Sequence, residues 1–176
     1  MARFKLPSET MKYGYVDRYG DELVLYHSTH FDAFRQIVSS CAIRTSREVD
    51  WRELPEIRHA GSFRELMETA RRLSNDPKIF YRVGGPTNIY FADDPWTARH
   101  RSPYPSHVIF ELHLPENWIR VNLIGEFETV EGIKRIPLSR ALRIISRSNY
   151  VERTKEVLSG SKRFNSISVV EIPFYS

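Results

Sequence analysis

The chain has 176 residues, 41% hydrophobic and 27% charged, which fits one domain with a buried core and argues against two. No run approaches the ~20 apolar residues of a membrane span, the start Met1 to Pro7 carries charge without an apolar stretch behind it, and Cys41 is the single cysteine, so no span, secretory leader, internal disulfide or multi-cysteine zinc site is expected, and a cytoplasmic location is. Lys and Arg number 26 against 22 acids, a net charge of +4, which favours an anionic partner such as nucleic acid or a dinucleotide phosphate and gives no reason to expect a membrane.

Residues 1 to 20 are mixed and polar and read as a lead-in. Leu23 to His27 packs apolar and aromatic residues into a short run and predicts a buried strand that ends in Ser28-Thr29-His30. Asp32 is the expected N-cap of a helix whose buried face is Phe34, Ile37, Val38 and Cys41, at i, i+3, i+4 and i+7. From Thr45 to Pro86 the chain is polar and rich in Arg and Glu, an insertion with one strong helix signal. Ser62 and Glu65 form a capping box, and Phe63, Leu66, Met67, Ala70 and Leu73 make an apolar stripe. Gly84-Gly85-Pro86 closes it with a turn.

Asn88 to Ala92 predicts a short strand, followed by Asp94 and Pro95 as N-cap and first residue of a helix over Trp96 to His100. His107 to Leu114 alternates as a strand, and Ile119 to Ile124 contains another. Glu126 to Val130 is the next strand, with Glu126, Glu128 and Val130 on one face by the period of two. Arg143 to Ile145 is strand-like, Asn149 with Glu152 caps a helix that runs through Leu158 and stops at Gly160, and Ile167 to Phe174 makes a closing strand. Together these predict an α+β domain rich in strands, with short helices.

Several residues are candidates for chemistry. His27 ends a buried strand beside hydroxyl residues, where an imidazole either presents a ring nitrogen to a ligand or is satisfied by a backbone carbonyl. Tyr90 is a ligand contact or an ordinary strand aromatic. Two carboxylates on one strand face, Glu126 and Glu128, require a cation, a ligand or open water. Arg44 and Arg47 after the first helix are forked donors for a pyrophosphate, or solvated surface charges. His107 and His113 lack the spacing and flanking acids of a metal site, Cys41 on an apolar helix face is no nucleophile, and no Gly-rich phosphate loop is present. The Arg residues of the insertion, interleaved with Trp51 and Phe63, are a nucleic-acid surface or a salt-bridged helix face with Glu53, Glu56, Glu65 and Glu68.

Three stretches together resemble the ADP-ribosyltransferase superfamily, in its branch with a His, Tyr, Glu set on three strands. Leu25-Tyr26-His27-Ser28-Thr29, a helix and Cys41-Ala42-Ile43-Arg44 resemble its first motif, with Cys41 where a glycine is usual. Asn88-Ile89-Tyr90-Phe91-Ala92-Asp93, with Ala98 beyond, resembles its second. Glu126-Phe127-Glu128, followed by Ile136-Pro137-Leu138 and the strand-like Ala141 to Ile145, resembles its third. The motifs cover residues 23 to 44, 88 to 98 and 126 to 145, less than half the chain, and the insertion lengthens the interval from His27 to Tyr90. Within the superfamily, Tyr26 to Asp32, the Glu126-Phe127 pair and the ending Val169 to Tyr175 resemble DarT-type DNA ADP-ribosyltransferase toxins.

The resemblance implies a fold of split mixed and antiparallel sheets with short flanking helices, and a mono-ADP-ribosyltransferase that uses NAD as substrate and releases nicotinamide. It implies His27 on the adenosine-side ribose, Tyr90 stacked on nicotinamide, Ser28 on the carboxamide, and Thr29, Phe91, Arg44 and Arg47 around the dinucleotide. The catalytic acid is Glu128 by analogy with relatives that carry two acids, and Glu126 by analogy with the DarT type. The implied partners are NAD, a macromolecular acceptor with nucleic acid, DNA first, favoured over protein, and, for a toxin, an antitoxin. Alternatives from the same fold are an NAD-dependent RNA 2′-phosphotransferase and a non-catalytic domain that binds NAD or ADP-ribose.

Overall fold

A computed structural model describes residues 3–5, 15–45, 55–74, 88–101, 106–122 and 126–172. These residues form a mixed α+β structure with three sheets. A six-stranded sheet has the order β1 (Arg3–Lys5), β2 (Tyr15–Tyr19), β3 (Glu22–Thr29), β6 (Val108–Leu114), β10 (Ala141–Ser146) and β11 (Val169–Glu171). Its pairings are antiparallel except for β10 with β11. A three-stranded sheet runs β5 (Tyr90–Phe91), β8 (Phe127–Thr129), β7 (Ile119–Val121), and a two-stranded one joins β4 (Ala42–Arg44) to β9 (Arg135–Pro137). The helices among the described residues are α1 (Phe31–Ser40), α2 (Pro55–Arg58), α3 (Phe63–Ser74), α4 (Pro95–Arg101) and α5 (Val151–Ser159). None among the described residues is long and apolar enough to cross a membrane.

Strand alternation divides the core in two. Leu23 and Leu25 of β3, with Phe110 and Leu112 of β6, face α1, α5 and the inner sides of the small sheets, where Phe34, Leu158, Ile89, Phe91 and Phe127 meet them. Val24 and Tyr26 point the other way, into a smaller cluster with Ile109, Ile145, Ala92 and Ala98 of α4. In that second layer lies a cross-strand row, Tyr26, Glu111 and Arg143, in direct register. Glu111 is only 2% exposed. Its Oε2 accepts from the Tyr26 hydroxyl at 3.1 Å and from Arg143 Nε at 2.8 Å, which is how a carboxylate can be buried in a sheet without large cost. Burial and the Glu111 charge push the Tyr26 phenol well above the usual tyrosine range, so it remains a donor.

Several expectations are corrected. Residues 1 to 20 are more than a lead-in: β1 and β2 lie there, and β2 joins β3 through a two-residue turn in which Gly20 has φ of 59°. The N-cap of α1 is His30, two residues before the expected Asp32; its backbone is extended and its Nδ1 accepts from the N–H groups of Asp32 and Ala33. A second imidazole, His107 Nδ1, accepts from the Phe31 N–H at 3.0 Å. Cys41 belongs to no helix face. It ends α1 with φ of 60°, the left-handed conformation that favours glycine, and its N–H bonds the Val38 carbonyl. Asn149 does not cap α5, which follows a 3-10 turn over Ser148–Tyr150 and has no side-chain cap.

Asp94 does cap α4, with Oδ1 accepting from the Thr97 N–H at 2.7 Å. The capping box of α3 also forms: Ser62 Oγ accepts from the Glu65 N–H, and Glu65 reaches back to the Gly61 N–H at 2.8 Å. The stripe of that helix is only partly covered, however: Phe63 is 76% and Met67 52% exposed, while Leu66 and Ala70 are half-buried. Arg64 with Glu68 makes the i to i+4 pair of a solvated face. Trp51, Gly84-Gly85-Pro86 and the expected strand residue Ile124 lie outside the described residues.

Two substitutions test this packing. Cys41→Gly relieves a left-handed backbone and should match or exceed the parent stability by up to about 1 kcal/mol, whereas Cys41→Val, β-branched, should cost about 1–2 kcal/mol in thermal denaturation. Tyr26→Phe removes one donor from a buried carboxylate and should cost about 1.5–3 kcal/mol in urea unfolding, with coupling to Glu111→Gln in a double-mutant cycle.

Candidate functional site

Among the described residues the three-stranded sheet is joined to the large one by one β-bridge. Tyr26 N–H donates to the Ala92 carbonyl and Ala92 N–H to the Tyr26 carbonyl, both at 2.9 Å. Had the ladder continued, Ser28 would have paired with Tyr90. Instead β5 turns away to pair with β8, and His27 fills the opening: its Nδ1 lies 2.9 Å from the Tyr90 carbonyl oxygen. A carbonyl only accepts, so Nδ1 carries the proton and Nε2 is left as an acceptor. Burial lowers the His27 pKa, partly offset by this hydrogen bond, so the ring is neutral at pH 7.

The split has a second consequence. Tyr26 spends both backbone groups on Ala92, so alternation turns the N–H and C=O of Ser28 toward the same edge, one step beyond the bridge. No group among the described residues takes them. The Ser28 hydroxyl, on the strand face opposite His27, is spent on Ser106 Oγ. Any ligand contact by Ser28 is therefore made by its peptide group.

Alternation also sorts the small sheet. Ile89, Phe91, Phe127, Ile119 and Val121 face the main core. The opposite face carries a cross-strand row in direct register, Tyr90 of β5, Glu128 of β8 and Arg120 of β7, with Asn88 beside it. Arg120 Nε donates to Glu128 Oε1 at 2.8 Å, and Asn88 Nδ2 reaches toward Oε2 at 3.4 Å. Glu128 is 5% and Tyr90 37% exposed. The Tyr90 phenol is pushed up by burial first, then by the charges of Glu128 and Glu126 and a hydrogen bond to Glu128, with Arg120 opposing. The phenol thus stays protonated beside the carboxylate.

His27, Tyr90 and Glu128 are brought to adjacent strands. Glu126 precedes β8, its N–H bonded to Asn122 Oδ1 at 2.9 Å, and its charge is felt by Tyr90. Phe91 is buried on the core side, where its ring meets the edge of His27 at 6.0 Å; it supports the imidazole and is closed to a ligand. Thr29 is likewise buried, its hydroxyl on the His30 carbonyl. Arg44 belongs to the β4–β9 pair, opposite Arg135, and not to this row. Arg47 lies outside the described residues.

Arg120 and Asn88 were not singled out from the sequence. The signal was available: reading 119–121 and 127–129 as one hairpin places Arg120 directly across from Glu128. Comparison of the chain with protein-family models, with curated proteins and with solved structures finds no match.

Burial lowers the pKa values of His27 and His107 alike, the latter helped by Arg147 and Arg153 and opposed by Asp32. The unfolded chain then takes up protons near pH 6.5 that the folded one refuses. Thermal stability should be level above about pH 6.5 and fall as the pH drops further, and an NMR titration of His27 should show a neutral ring with Nδ1 protonated where an unfolded histidine is half charged. A stability that rises on acidification through this range contradicts the assignment.

Proposed function

We propose that this chain is an NAD-dependent mono-ADP-ribosyltransferase that transfers ADP-ribose to a nucleic acid and releases nicotinamide. The observation that supports the reading is that the split between two sheets sets His27 against the Tyr90 carbonyl and pairs Tyr90 directly with Glu128, the three residue types that the ADP-ribosyltransferase resemblance calls for. The α+β architecture, with the small sheet hinged on the large one at the Tyr26–Ala92 bridge, agrees with the split sheets of that superfamily. The net charge of +4 favours a polyanionic acceptor.

The chemistry asks for what this row offers. In NAD the bond between the ribose anomeric carbon and the nicotinamide nitrogen breaks with its electron pair going to the nitrogen, which loses its positive charge. The sugar carbon becomes oxocarbenium-like until a nucleophile on the acceptor bonds to it and gives up a proton. A carboxylate near that sugar stabilises the cationic transition state more than the ground state. Glu128 is that carboxylate, because it shares a cross-strand row with Tyr90 and is fixed on both oxygens. Glu126, two residues away, adds negative potential on the same side.

His27, neutral and protonated on Nδ1, offers Nε2 to a hydroxyl of the adenosine-side ribose. The unpaired N–H and C=O of Ser28 match the carbonyl and amino group of a carboxamide, so Ser28 acts through its peptide group where the resemblance alone would have used any part of the residue. Tyr90, half in the open, supplies a ring face for nicotinamide.

The test is to incubate the protein with NAD labelled in the adenosine moiety and separate pools of DNA, RNA and protein. Label should appear in nucleic acid, with equimolar nicotinamide. Glu128→Gln should lower the rate by about 10²–10³-fold with the melting curve preserved, and Glu126→Gln should lower it less. Equal activity of both variants and the parent refutes the glutamate assignment, and nicotinamide release with label only in protein moves the acceptor to a side chain.

A further inference from the structure

Arg120 stands on β7, the outer strand of the small sheet, and the two edges of its guanidinium have different surroundings. Nε is 2.8 Å from Glu128 Oε1. The two terminal nitrogens have no partner among the described residues, and the side chain as a whole is 46% exposed. A guanidinium is a rigid planar fork of five donors, and a pair formed only to neutralise a carboxylate is best made with both prongs on both oxygens. Here one donor serves Glu128, while Glu128 Oε2 is left to Asn88 and the Tyr90 side. The remaining prongs belong to a side chain that is nearly half exposed beside the candidate acid.

This arrangement discriminates between acceptors. A carboxylate at this position is well placed to hold a cationic acceptor, such as an arginine side chain of a protein, beside the sugar. That place is already taken by the chain's own arginine, so a second cation meets like charge there. A phosphodiester meets the opposite: free donors whose spacing matches two oxygens of one phosphate.

We propose that Arg120 couples the acceptor to Glu128, orienting the carboxylate through Nε and taking a backbone phosphate of a nucleic-acid strand through its outer edge. The inference rests on the transferase reading for the reaction, and on Arg120 alone for the binding. It makes Arg120 a positioning residue for Glu128 and a direct contact of the acceptor strand.

The experiment measures binding of a labelled single-stranded DNA oligonucleotide, an RNA of the same sequence and an uncharged peptide nucleic acid of the same bases, by fluorescence anisotropy over a range of KCl. The parent should bind both phosphodiester strands and not the uncharged one. Arg120→Gln should weaken DNA binding about tenfold at low salt and reduce the magnitude of the log–log salt slope by about 0.7. Arg120→Lys, which keeps the charge, should keep the slope but raise the KM for the oligonucleotide in transfer from NAD, since an ammonium cannot serve carboxylate and phosphate in the same fork geometry. An unchanged slope in Arg120→Gln, an unchanged KM in Arg120→Lys, or no binding of the parent to either strand overturns the proposal. Loss of the transferase reading looks different: no label leaves NAD for any pool, while the salt slopes of parent and Arg120→Gln still differ.

Discussion

Tyr26 is the residue on which the site depends. Its backbone N–H and C=O are both committed to Ala92, its phenol to Glu111, and its neighbours in sequence alternate between the two cores. These contacts fix where the small sheet meets the large one and, by the period of two, which way the next residues face. His27 is therefore turned to the side of Phe91, and the Ser28 peptide is turned into the gap. A one-residue slip at this bridge would reverse both and dismantle the opening. The buried Glu111 acts against such a slip, because a carboxylate with Tyr26 and Arg143 on either side has no comparable partners in another register.

The same alternation explains how a short strand carries a buried acid. β8 is central in its sheet and covered on both faces; Phe127 packs in the core, while Glu128, also buried, lies in the row with Tyr90 and Arg120, and Glu126 precedes the strand. The cost of removing Glu128 from water is offset by the guanidinium across the strand and by a phenol kept in its neutral form. Electrostatics and topology thus support one another, since pairing with β7 and β5 brings both partners into register.

Much of this was legible in the sequence, for reasons that differ by element. The strands around Leu25, Phe110 and Phe127 and the caps at Ser62 and Asp94 obey local rules, and there the structure agrees to within a few residues. The grouping of His27, Tyr90 and Glu128 came from resemblance, because nothing local in three distant segments says that they meet. What was missed depends on long-range pairing or on unusual roles. Arg120 acquires meaning only across a hairpin, β2 only as the edge partner of β3, and His30 is a rare cap that displaces the commoner Asp32. Cys41 was read by helical spacing, whereas its backbone had already left the helix.

The solvent-facing stripe of α3 bears on how the molecule is held together. A helix of twelve residues normally owes its existence to the surface it covers. With Phe63 and Met67 in water and Leu66, Thr69 and Ala70 only half-buried, the local terms of α3, its capping box and the Arg64–Glu68 pair, weigh more than in a fully packed helix. Local capping therefore contributes a larger share to α3 than to α1, whose Phe34, Ile37 and Val38 are buried in the core. In this chain the lightly packed α3 and the tight interlocking of Tyr26 stand far apart on a single scale of cooperativity.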